Sequence, residues 1–258
     1  MFLPSGFDKA IASEAAALVL QAYEQYTAFK SGQPWSLQGN YQNLAVLSAK
    51  PEGLLAVTEP FGFVAQNLTS KALFVAFRGT QSIEDWISDF TARQVQHPWG
   101  NVEEGFANLY AQCTASVLNG VRAAQNVAGV YVTGHSLGAS LAVLALADLE
   151  INRVAWGTKM YTFAGPRVGD IQFAAMFNQS RSGRAWRIVN TEDIVPTLPL
   201  ATPDLLTVLP HGIWGTFLAL KPKLNFEHVG EPVCFTENRG DIPGNHDMTL
   251  YQRELDAN

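Results

Sequence analysis

The stretch that decides the fold is VYVTGHSLGA at residues 130–139, near the middle of the chain. A β-branched run ends on Gly134, and residues 139–147, which follow the motif, are rich in helix formers. This order of strand, sharp turn and helix, with G-x-S-x-G across the turn, predicts a serine hydroxyl at the carboxyl end of a parallel strand. The N-terminus of the following helix favours developing negative charge there. The motif therefore predicts that Ser136 is a nucleophile, and the alternative is a tight turn whose serine only caps the helix.

Length and composition predict one globular α/β domain over residues 1–258. With 47% hydrophobic and 16% charged residues, the chain can bury a large core. A formal net charge of -6 and a pI near 5.3 argue against a nucleic-acid-binding surface, and no apolar run is long enough to span a bilayer. The first residues contain no basic segment followed by an apolar one, so we expect a cytoplasmic protein or a mature secreted form.

Neither a metal nor a cofactor is expected. The two cysteines, Cys113 and Cys234, do not have a metal-binding spacing, and Asp241, His246 and Asp247 also lack one. Cys113 falls on the apolar face of a predicted helix, which favours a buried free thiol. A disulfide between the two cysteines stays open from the sequence.

Strands and helices alternate along the chain, which is typical of βαβ units and a largely parallel sheet. Hydrophobic periodicity predicts helices at 8–30, 106–121, 139–147, 170–178 and 246–255, and strands at 54–57, 62–66, 72–77, 130–134, 160–164, 186–190 and 232–236. The other segments are predicted to be turn-rich at 31–53, loops at 97–100 and 237–245, and an apolar excursion over one end of the sheet at 200–223. We therefore predict an α/β-hydrolase fold, a mostly parallel central sheet flanked by helices.

One short, strongly amphipathic helix is predicted directly after the strand at 72–77. The sequence SIED at 82–85 has the form of a capping box. Apolar side chains then recur at i, i+3, i+4 and i+7, while polar residues occupy the other side; the apolar residues are Ile83, Trp86, Ile87 and Phe90. Periodicity alone does not distinguish a movable cover from a surface helix that is permanently packed on the core.

A serine hydroxyl is a weak nucleophile that needs an adjacent base, and the base needs an orienting acid. In an α/β-hydrolase these residues follow the chain order nucleophile, acid, base, which excludes His97. His135 lies inside the elbow, His211 lies in the excursion, and His228 precedes the last strand, where a structural role is predicted. Only His246 follows a predicted strand on a loop, so His246 is the predicted base.

Asp193 is the predicted acid, because it comes directly after the strand at 186–190 and so lies at the carboxyl end of that strand. Asp170 opens a helix, where an N-cap role explains it, and Asp204 lies in the excursion. Asp241 and Asp247 are close neighbours of the predicted base in the sequence. The strand-end position favours Asp193 over these alternatives.

A tetrahedral intermediate on the serine would need two hydrogen-bond donors. One is expected to be the backbone N–H of Leu137, the residue after the nucleophile. The other is expected from the loop Arg78-Gly79-Thr80, which follows an earlier strand. We assign this second donor to the N–H of Thr80.

Further short motifs are spread over most of the chain. They are FRGT at 77–80, SIEDW at 82–86, GF at 105–106, VTGHSLG at 132–138, FAGPRVG at 163–169, NTEDIVP at 190–196 and the C-terminal His246. Together these motifs resemble the filamentous-fungal-type (class 3) triacylglycerol lipase family. The resemblance implies a catalytic triad of Ser136, Asp193 and His246. It also implies an oxyanion hole at Thr80 and Leu137, and a lid at 82–90 that covers the cleft in water and opens at a lipid surface.

The expected activity is hydrolysis of acylglycerol esters at a lipid–water interface through an acyl-enzyme on Ser136. Phospholipids, short-chain esters and feruloyl esters are alternative substrates for the same chemistry. A non-catalytic lipid-binding protein that keeps the fold is the alternative from a different class.

Overall fold

Strands and helices follow one another closely in the computed structural model, which describes residues 1–51, 57–89, 93–181, 183–199 and 225–257. The helices are α1 (Lys9–Lys30), α2 (Ile83–Asp89), α3 (Glu104–Ala123), α4 (Leu137–Ile151), α5 (Ile171–Arg181), α6 (Ile242–Asn245) and α7 (Met248–Ala257). The strands are β1 (Tyr41–Ala49), β2 (Glu59–Asn67), β3 (Ala72–Phe77), β4 (Gln94–His97), β5 (Gly100–Glu103), β6 (Gly129–His135), β7 (Lys159–Phe163), β8 (Gly169–Asp170), β9 (Ala185–Asn190), β10 (Phe226–Glu227) and β11 (Glu231–Phe235).

The main sheet has the strand order β1-β2-β3-β6-β7-β9-β11 in the described part of the chain. Strands β1, β2 and β3 pair antiparallel, whereas β3, β6, β7, β9 and β11 all pair parallel. Parallel neighbours end at the same edge of a sheet, so the carboxyl ends of β3, β6 and β9 lie along one edge. The predicted mostly parallel central sheet flanked by helices is confirmed.

Each face of the sheet has its own hydrophobic core. Strand β3 is buried throughout, with Leu73, Val75 and Phe77 in one core and Ala72, Phe74 and Ala76 in the other, as the two-residue period of a strand requires. The first core is shared with α3, α4 and α5, and the second with α1 and α7. Helix α4 is buried along almost its whole length because it lies between the sheet and α3. This burial fixes the helix that begins directly after Ser136.

Two segments that were predicted as turns or loops contain strands in the structure. Two other predicted segments lie wholly or partly outside the described residues. Residues 41–49, predicted to be turn-rich, form the edge strand β1, whose two register shifts against β2 break the alternation of polar and apolar residues. The predicted loop at 97–100 connects β4 to β5, two short strands of a second, antiparallel sheet with the order β10-β8-β5-β4. Residues 54–56 of the predicted strand at 54–57 lie outside the described residues, and Val57 is exposed and not part of a strand. The apolar excursion at 200–223 lies wholly outside the described residues. The single-domain organisation stays a prediction.

The C-terminal segment also differs from the prediction of one loop and one helix. Helix α6 precedes His246, with the Asp241 carboxylate accepting from the N–H of Gly244 at 2.7 Å. The Asp247 carboxylate then accepts from the N–H of Thr249 at 2.8 Å, at the start of α7. His246 therefore lies between two capped helices and not in the first turn of one.

Both cysteines are free thiols, Cys113 buried and Cys234 exposed, which excludes the disulfide that the sequence had left open. Among the helices of the described residues, none combines the length and the hydropathy that crossing a bilayer requires. The described side chains of His, Cys, Asp and Glu also do not gather anywhere in a group that could bind a metal ion.

Candidate active site

Ser136 occupies the turn between β6 and α4 in a backbone conformation that residues other than glycine rarely adopt. Its φ is 57° and its ψ is -127°. The Ser136 N–H donates to the carbonyl of Phe163 on β7 at 3.0 Å, which holds the turn at the edge of the sheet. Glycines on both sides allow the strand and helix to cross closely, because a Cβ on Gly134 would lie 2.1 Å from the Gly138 carbonyl oxygen. A Cβ on Gly138 would lie 2.4 Å from the carbonyl oxygen of Arg78.

Replacing Gly134 with alanine should therefore lower the free energy of unfolding by about 3 kcal/mol or more, since backbone atoms must shift to admit the methyl group. Chemical denaturation measures the loss. Gly157→Asn is the matched control, because Gly157 has φ 72°, a Cβ there meets nothing within 4 Å, and asparagine tolerates the left-handed region. Equal stability of the two variants would contradict the close crossing at the elbow.

The predicted acid and base are hydrogen-bonded to each other. His246 Nδ1 lies 2.7 Å from Asp193 Oδ2, and since a carboxylate can only accept, the imidazole donates from Nδ1. The other carboxylate oxygen accepts from the N–H of Val195 at 2.9 Å. Both side chains are buried. This arrangement leaves the lone pair of the neutral imidazole on Nε2, the atom that a base would use.

A third group, which sequence reasoning missed, binds Asp193 Oδ2, the oxygen that also accepts from His246. The Tyr251 hydroxyl donates to Asp193 Oδ2 at 2.7 Å and accepts from the N–H of Asn190 at 3.1 Å. Burial, followed by the neighbouring Asp193 charge, raises the pKa of Tyr251 well above its usual value, so the hydroxyl stays protonated. Tyr251 fits the apolar face of the terminal helix, so the pattern alone gives it no other role than packing.

His246 lies against the elbow, because its ring contacts that of His135, the residue before Ser136. The rings of His135 and His246 are in contact, with centroids 4.6 Å apart. Ser136 Oγ and His246 Nε2 are both buried, and neither has a hydrogen-bond partner within the described part of the chain. A buried hydroxyl and a buried acceptor nitrogen without partners are unusual in a folded protein, and a catalytic role is one explanation for them.

The loop of the second predicted donor lies against the elbow. A Cβ on Gly79 would be 2.7 Å from Cβ of Ser136, so the backbone before Thr80 is in contact with the nucleophile. Thr80 and Leu137 line the same cleft, which has a volume of about 440 Å³. The structure therefore brings both predicted donors to one cavity beside Ser136.

Arg78, in the same loop, is fully buried and was not singled out by sequence reasoning. It forms an ion pair with Glu59, with Nη2 2.6 Å from Oε1. Its guanidinium lies over the rings of Tyr26 and Phe61, at 3.8 Å and 4.2 Å from their centroids. Burial lowers the pKa of Arg78, and the Glu59 carboxylate opposes this shift. The buried guanidinium is stabilised by the Glu59 carboxylate at its edge and by the two aromatic rings against its plane.

Helix α2 covers the carboxyl edge of the sheet with its apolar face. Ile83 and Ile87 are buried and form a cluster with Val195 and Leu198, directly after the predicted acid. The Trp86 ring, also in contact with this cluster, stacks on Phe106 with centroids 6.2 Å apart. The polar residues Glu84 and Asp85 are exposed, as the helical period predicts. Phe90, the fourth predicted apolar residue, lies outside the described residues.

The remaining histidines make other contacts. His228 Nε2 lies 2.7 Å from the Pro196 carbonyl oxygen, so it donates there. Burial and the charges of Arg187 and Arg167 lower the pKa of His228 to about 3, which agrees with the predicted structural role. His97 contacts the ring of Phe173, with centroids 5.2 Å apart. His211 lies outside the described residues.

A comparison with models of known protein families matches residues 74–202, half of the chain, to the family described as "Lipase (class 3)". The matched segment contains four of the five predicted catalytic and oxyanion-hole residues, namely Thr80, Ser136, Leu137 and Asp193, and the whole predicted lid. It ends before His246, so the assignment of the base depends on its hydrogen bond to Asp193.

Individual relatives agree with this match. The secreted mono- and diacylglycerol lipase A of Penicillium cyclopium is 31% identical over 160 residues, which cover 60% of this chain and 52% of the relative. The phospholipase A1-II 3 of Oryza sativa subsp. indica is 28% identical, and the alignment covers 92% of this chain and 64% of that protein. This chain spans about half the length of the fungal relatives that it matches.

Among solved structures, the Rhizomucor miehei triacylglyceride lipase superimposes with a TM-score of 0.63 at 26% sequence identity, covering 88% of this chain and 81% of that chain. This likeness, together with the order of the parallel strands, confirms the predicted α/β-hydrolase fold.

Proposed function

This chain belongs to the class 3 lipase family, and on that premise we propose that it is a serine hydrolase that cleaves acylglycerol esters. The observation that carries the proposal is the 2.7 Å hydrogen bond between His246 Nδ1 and Asp193 Oδ2. This bond orients a base next to an elbow whose Ser136 hydroxyl is buried and unpartnered within the described residues. A structural ion pair would not require the strained backbone of Ser136.

The reaction follows from the protonation of these groups. Ser136 Oγ attacks the ester carbonyl carbon while His246 Nε2 takes the hydroxyl proton, and Asp193 stabilises the imidazolium that forms. The carbonyl oxygen becomes an oxyanion, which accepts hydrogen bonds from the N–H groups of Thr80 and Leu137. The C–O bond to the alcohol then breaks, and His246 returns the proton to the departing alkoxide oxygen. Water, deprotonated by the same nitrogen, then attacks the acyl carbon. The bond from that carbon to Ser136 Oγ breaks, His246 returns the proton to Oγ, and the carboxylic acid leaves.

The cleft beside Thr80 and Leu137 has a mixed lining that includes the charged residues Lys50, Glu59 and Glu103, and we propose that its apolar part takes the acyl group. Phe61, Phe106 and Leu109 contribute apolar side chains to its lining, and burial of each methylene of an acyl chain contributes about 0.8 kcal/mol. The names of the fungal relatives include mono- and diacylglycerol lipases, and we extend that substrate class to this chain. The plant relative named phospholipase A1 makes a phospholipid the second candidate substrate.

Rates on three substrates test the proposal. Emulsified dioctanoylglycerol, phosphatidylcholine vesicles and soluble p-nitrophenyl butyrate are compared at equal enzyme concentration, with the Ser136→Ala protein as the blank. We expect Ser136-dependent release of fatty acid to be fastest from the diacylglycerol. Faster release from phosphatidylcholine would make a phospholipid, and not an acylglycerol, the proposed substrate. If none of the three esters were hydrolysed in a Ser136-dependent way, the proposal of a serine hydrolase would be contradicted.

We also propose that α2 is a lid, because its apolar face covers the edge of the sheet at which the acid and base lie. Opening would expose Ile83, Trp86 and Ile87 together, which water disfavours and a lipid surface favours. The rate should therefore rise steeply when the substrate passes its solubility limit.

Trp86→Ala should reduce this rise about tenfold, since roughly 1–2 kcal/mol of apolar contact with the lipid is lost. The rise is measured as the ratio of the rate of tributyrin hydrolysis above the solubility limit of tributyrin to the rate below it. Trp156→Ala is the matched control, because Trp156 is 74% exposed and belongs to a loop near the start of β7. A smooth saturation curve for the unmodified protein, with no rise at the limit, would count against the lid.

A further inference from the structure

The hydroxyl of Tyr23, on α1, joins the loop after β3 to the elbow after β6. It accepts a hydrogen bond from the backbone N–H of Gly79 at 3.0 Å and lies 2.7 Å from Nδ1 of His135. The rings of Tyr23 and His135 are also in edge contact, with centroids 5.8 Å apart. One side chain of the first helix thus bonds to the backbone of the loop that carries Thr80 and to a side chain of the elbow that carries Leu137.

Elementary chemistry assigns the protons of this bridge. The Gly79 N–H can only donate, so the single hydroxyl proton of Tyr23 is left to donate to Nδ1 of His135. Burial raises the pKa of Tyr23, which keeps its proton. Burial, followed by the neighbouring His246, holds the pKa of His135 well below its usual value. His135 is therefore neutral, and in the tautomer with its proton on Nε2 the Nδ1 atom accepts from the Tyr23 hydroxyl.

The carbonyl of Gly79 is held by a different side chain. Arg78 Nη1 donates to it at 2.8 Å, while Arg78 Nε donates to the Pro60 carbonyl at 2.8 Å. A peptide unit is planar and trans, so the N–H of Thr80 points away from the carbonyl oxygen of Gly79. A guanidinium that fixes this carbonyl therefore also fixes the direction of the Thr80 N–H.

The space around Gly79 leaves little freedom for the loop. A Cβ built there would lie 2.6 Å from the Tyr23 hydroxyl oxygen, 2.7 Å from Cβ of Ser136 and 2.8 Å from the His135 carbonyl oxygen. The bridging hydroxyl and the nucleophile thus both crowd the side of Gly79 on which a Cβ would lie. Loss of the hydroxyl would open a gap next to Gly79 on this side.

We propose that Tyr23 and Arg78 are positioning residues that hold the Thr80 N–H in the oxyanion hole of Ser136 before a substrate binds. Tyr23 fixes the N–H of Gly79, and Arg78 fixes its carbonyl. Both act through the backbone, and neither moves a proton in the reaction. This inference rests on the proposed function, since an oxyanion hole has a role only where a tetrahedral intermediate forms.

Tyr23→Phe tests the inference on the full chain with soluble p-nitrophenyl butyrate and with butylboronic acid, which forms a tetrahedral adduct on a nucleophilic serine. We expect kcat to fall roughly 10- to 100-fold, the size that a small misplacement of a catalytic donor produces. KM should stay within about twofold, and the boronic acid should bind more weakly by the same factor as kcat falls. A merely structural tyrosine would not couple these two changes.

Tyr41→Phe is the matched control. The Tyr41 hydroxyl, on β1, donates at 2.6 Å to Glu14, which lies on α1 as Tyr23 does. This variant therefore also removes a tyrosine hydroxyl that is hydrogen-bonded to another part of the chain, but away from the elbow. Should Tyr23→Phe not give folded protein by thermal melting, Arg78→Lys takes its place, because lysine keeps the charge and loses the bond from Nη1 to Gly79.

Each outcome has one meaning. A parallel loss of kcat and of boronic acid affinity, absent from Tyr41→Phe, supports the positioning role. Equal values for Tyr23→Phe and Tyr41→Phe, or a rise of KM at constant kcat, would overturn it while leaving Ser136-dependent hydrolysis intact. Turnover that does not depend on Ser136 would instead overturn the proposed function itself.

Discussion

Replacing Ser136 with alanine should lower kcat/KM for ester hydrolysis by roughly 10⁵- to 10⁶-fold, the size found when the nucleophile of a serine triad is removed. Alanine has no hydroxyl, so no acyl-enzyme can form. The hydroxyl makes no hydrogen bond within the described residues, so the thermal midpoint should change little. Steady-state rates on p-nitrophenyl butyrate and a thermal melt measure both quantities.

Ser140→Ala is the control for this variant. Ser140 lies in the first turn of α4, four residues after Ser136, is equally buried, and its hydroxyl also has no partner among the described residues. It should keep full activity. If the two variants had similar activity, Ser136 would be a turn residue that only begins the helix, the alternative that the sequence allowed.

Asp193→Asn should lower kcat on the order of 10⁴-fold with little change in KM. An amide cannot stabilise the imidazolium, and its NH₂ group can force His246 into the tautomer with the proton on Nε2. The substitution would also disturb the hydrogen bond that the Tyr251 hydroxyl donates, because Tyr251 and His246 both bind Oδ2 of Asp193. Rates on a soluble ester over a range of concentrations separate kcat from KM.

Glu192→Gln is the matched control, because Glu192 precedes Asp193 and its carboxylate is exposed, accepting a 3.2 Å hydrogen bond from the Asn238 amide. It should keep the rate of the unmodified protein. The double variant Ser136→Ala with Asp193→Asn should be no slower than Ser136→Ala alone, since members of a triad act as a unit. Additive losses would show that Asp193 does not act through His246.

The residues proposed as nucleophile, acid and base could be singled out from the sequence because each choice depends on local sequence and chain order. A β-branched strand, two glycines and a helix-forming run together predict the turn at Ser136. Asp193 follows a strongly apolar strand, and His246 follows the last one. The structure brings Asp193 and His246 into hydrogen-bond distance, which chain order alone does not require.

The supporting residues could not be predicted, because their contacts join parts of the chain that are far apart. Tyr26, and not Tyr23, continues the apolar spacing of the first helix, so the periodicity gives no reason to single out Tyr23. Arg78 is buried only because Glu59 and a neighbouring carbonyl from another strand surround it. Tyr251 looks like an ordinary core residue until Asp193 is seen beside it.

Strand β1 and the small antiparallel sheet were missed for a related reason. Register shifts interrupt the alternation in β1, and β8 and β10 are only two residues long. Strands of this length carry no periodicity, so only their partners define them.

The central claim is that Ser136 is the residue that becomes acylated, and covalent labelling tests it most directly. The protein is incubated with a fluorophosphonate, digested, and the modified peptide is identified by mass spectrometry. We predict a single adduct on Ser136 and no adduct on the Ser136→Ala protein. Ester hydrolysis should fall in proportion to the labelled fraction and be lost when labelling is complete. An active protein that stays unlabelled, or an adduct on another residue that accounts for the lost activity, would contradict the claim.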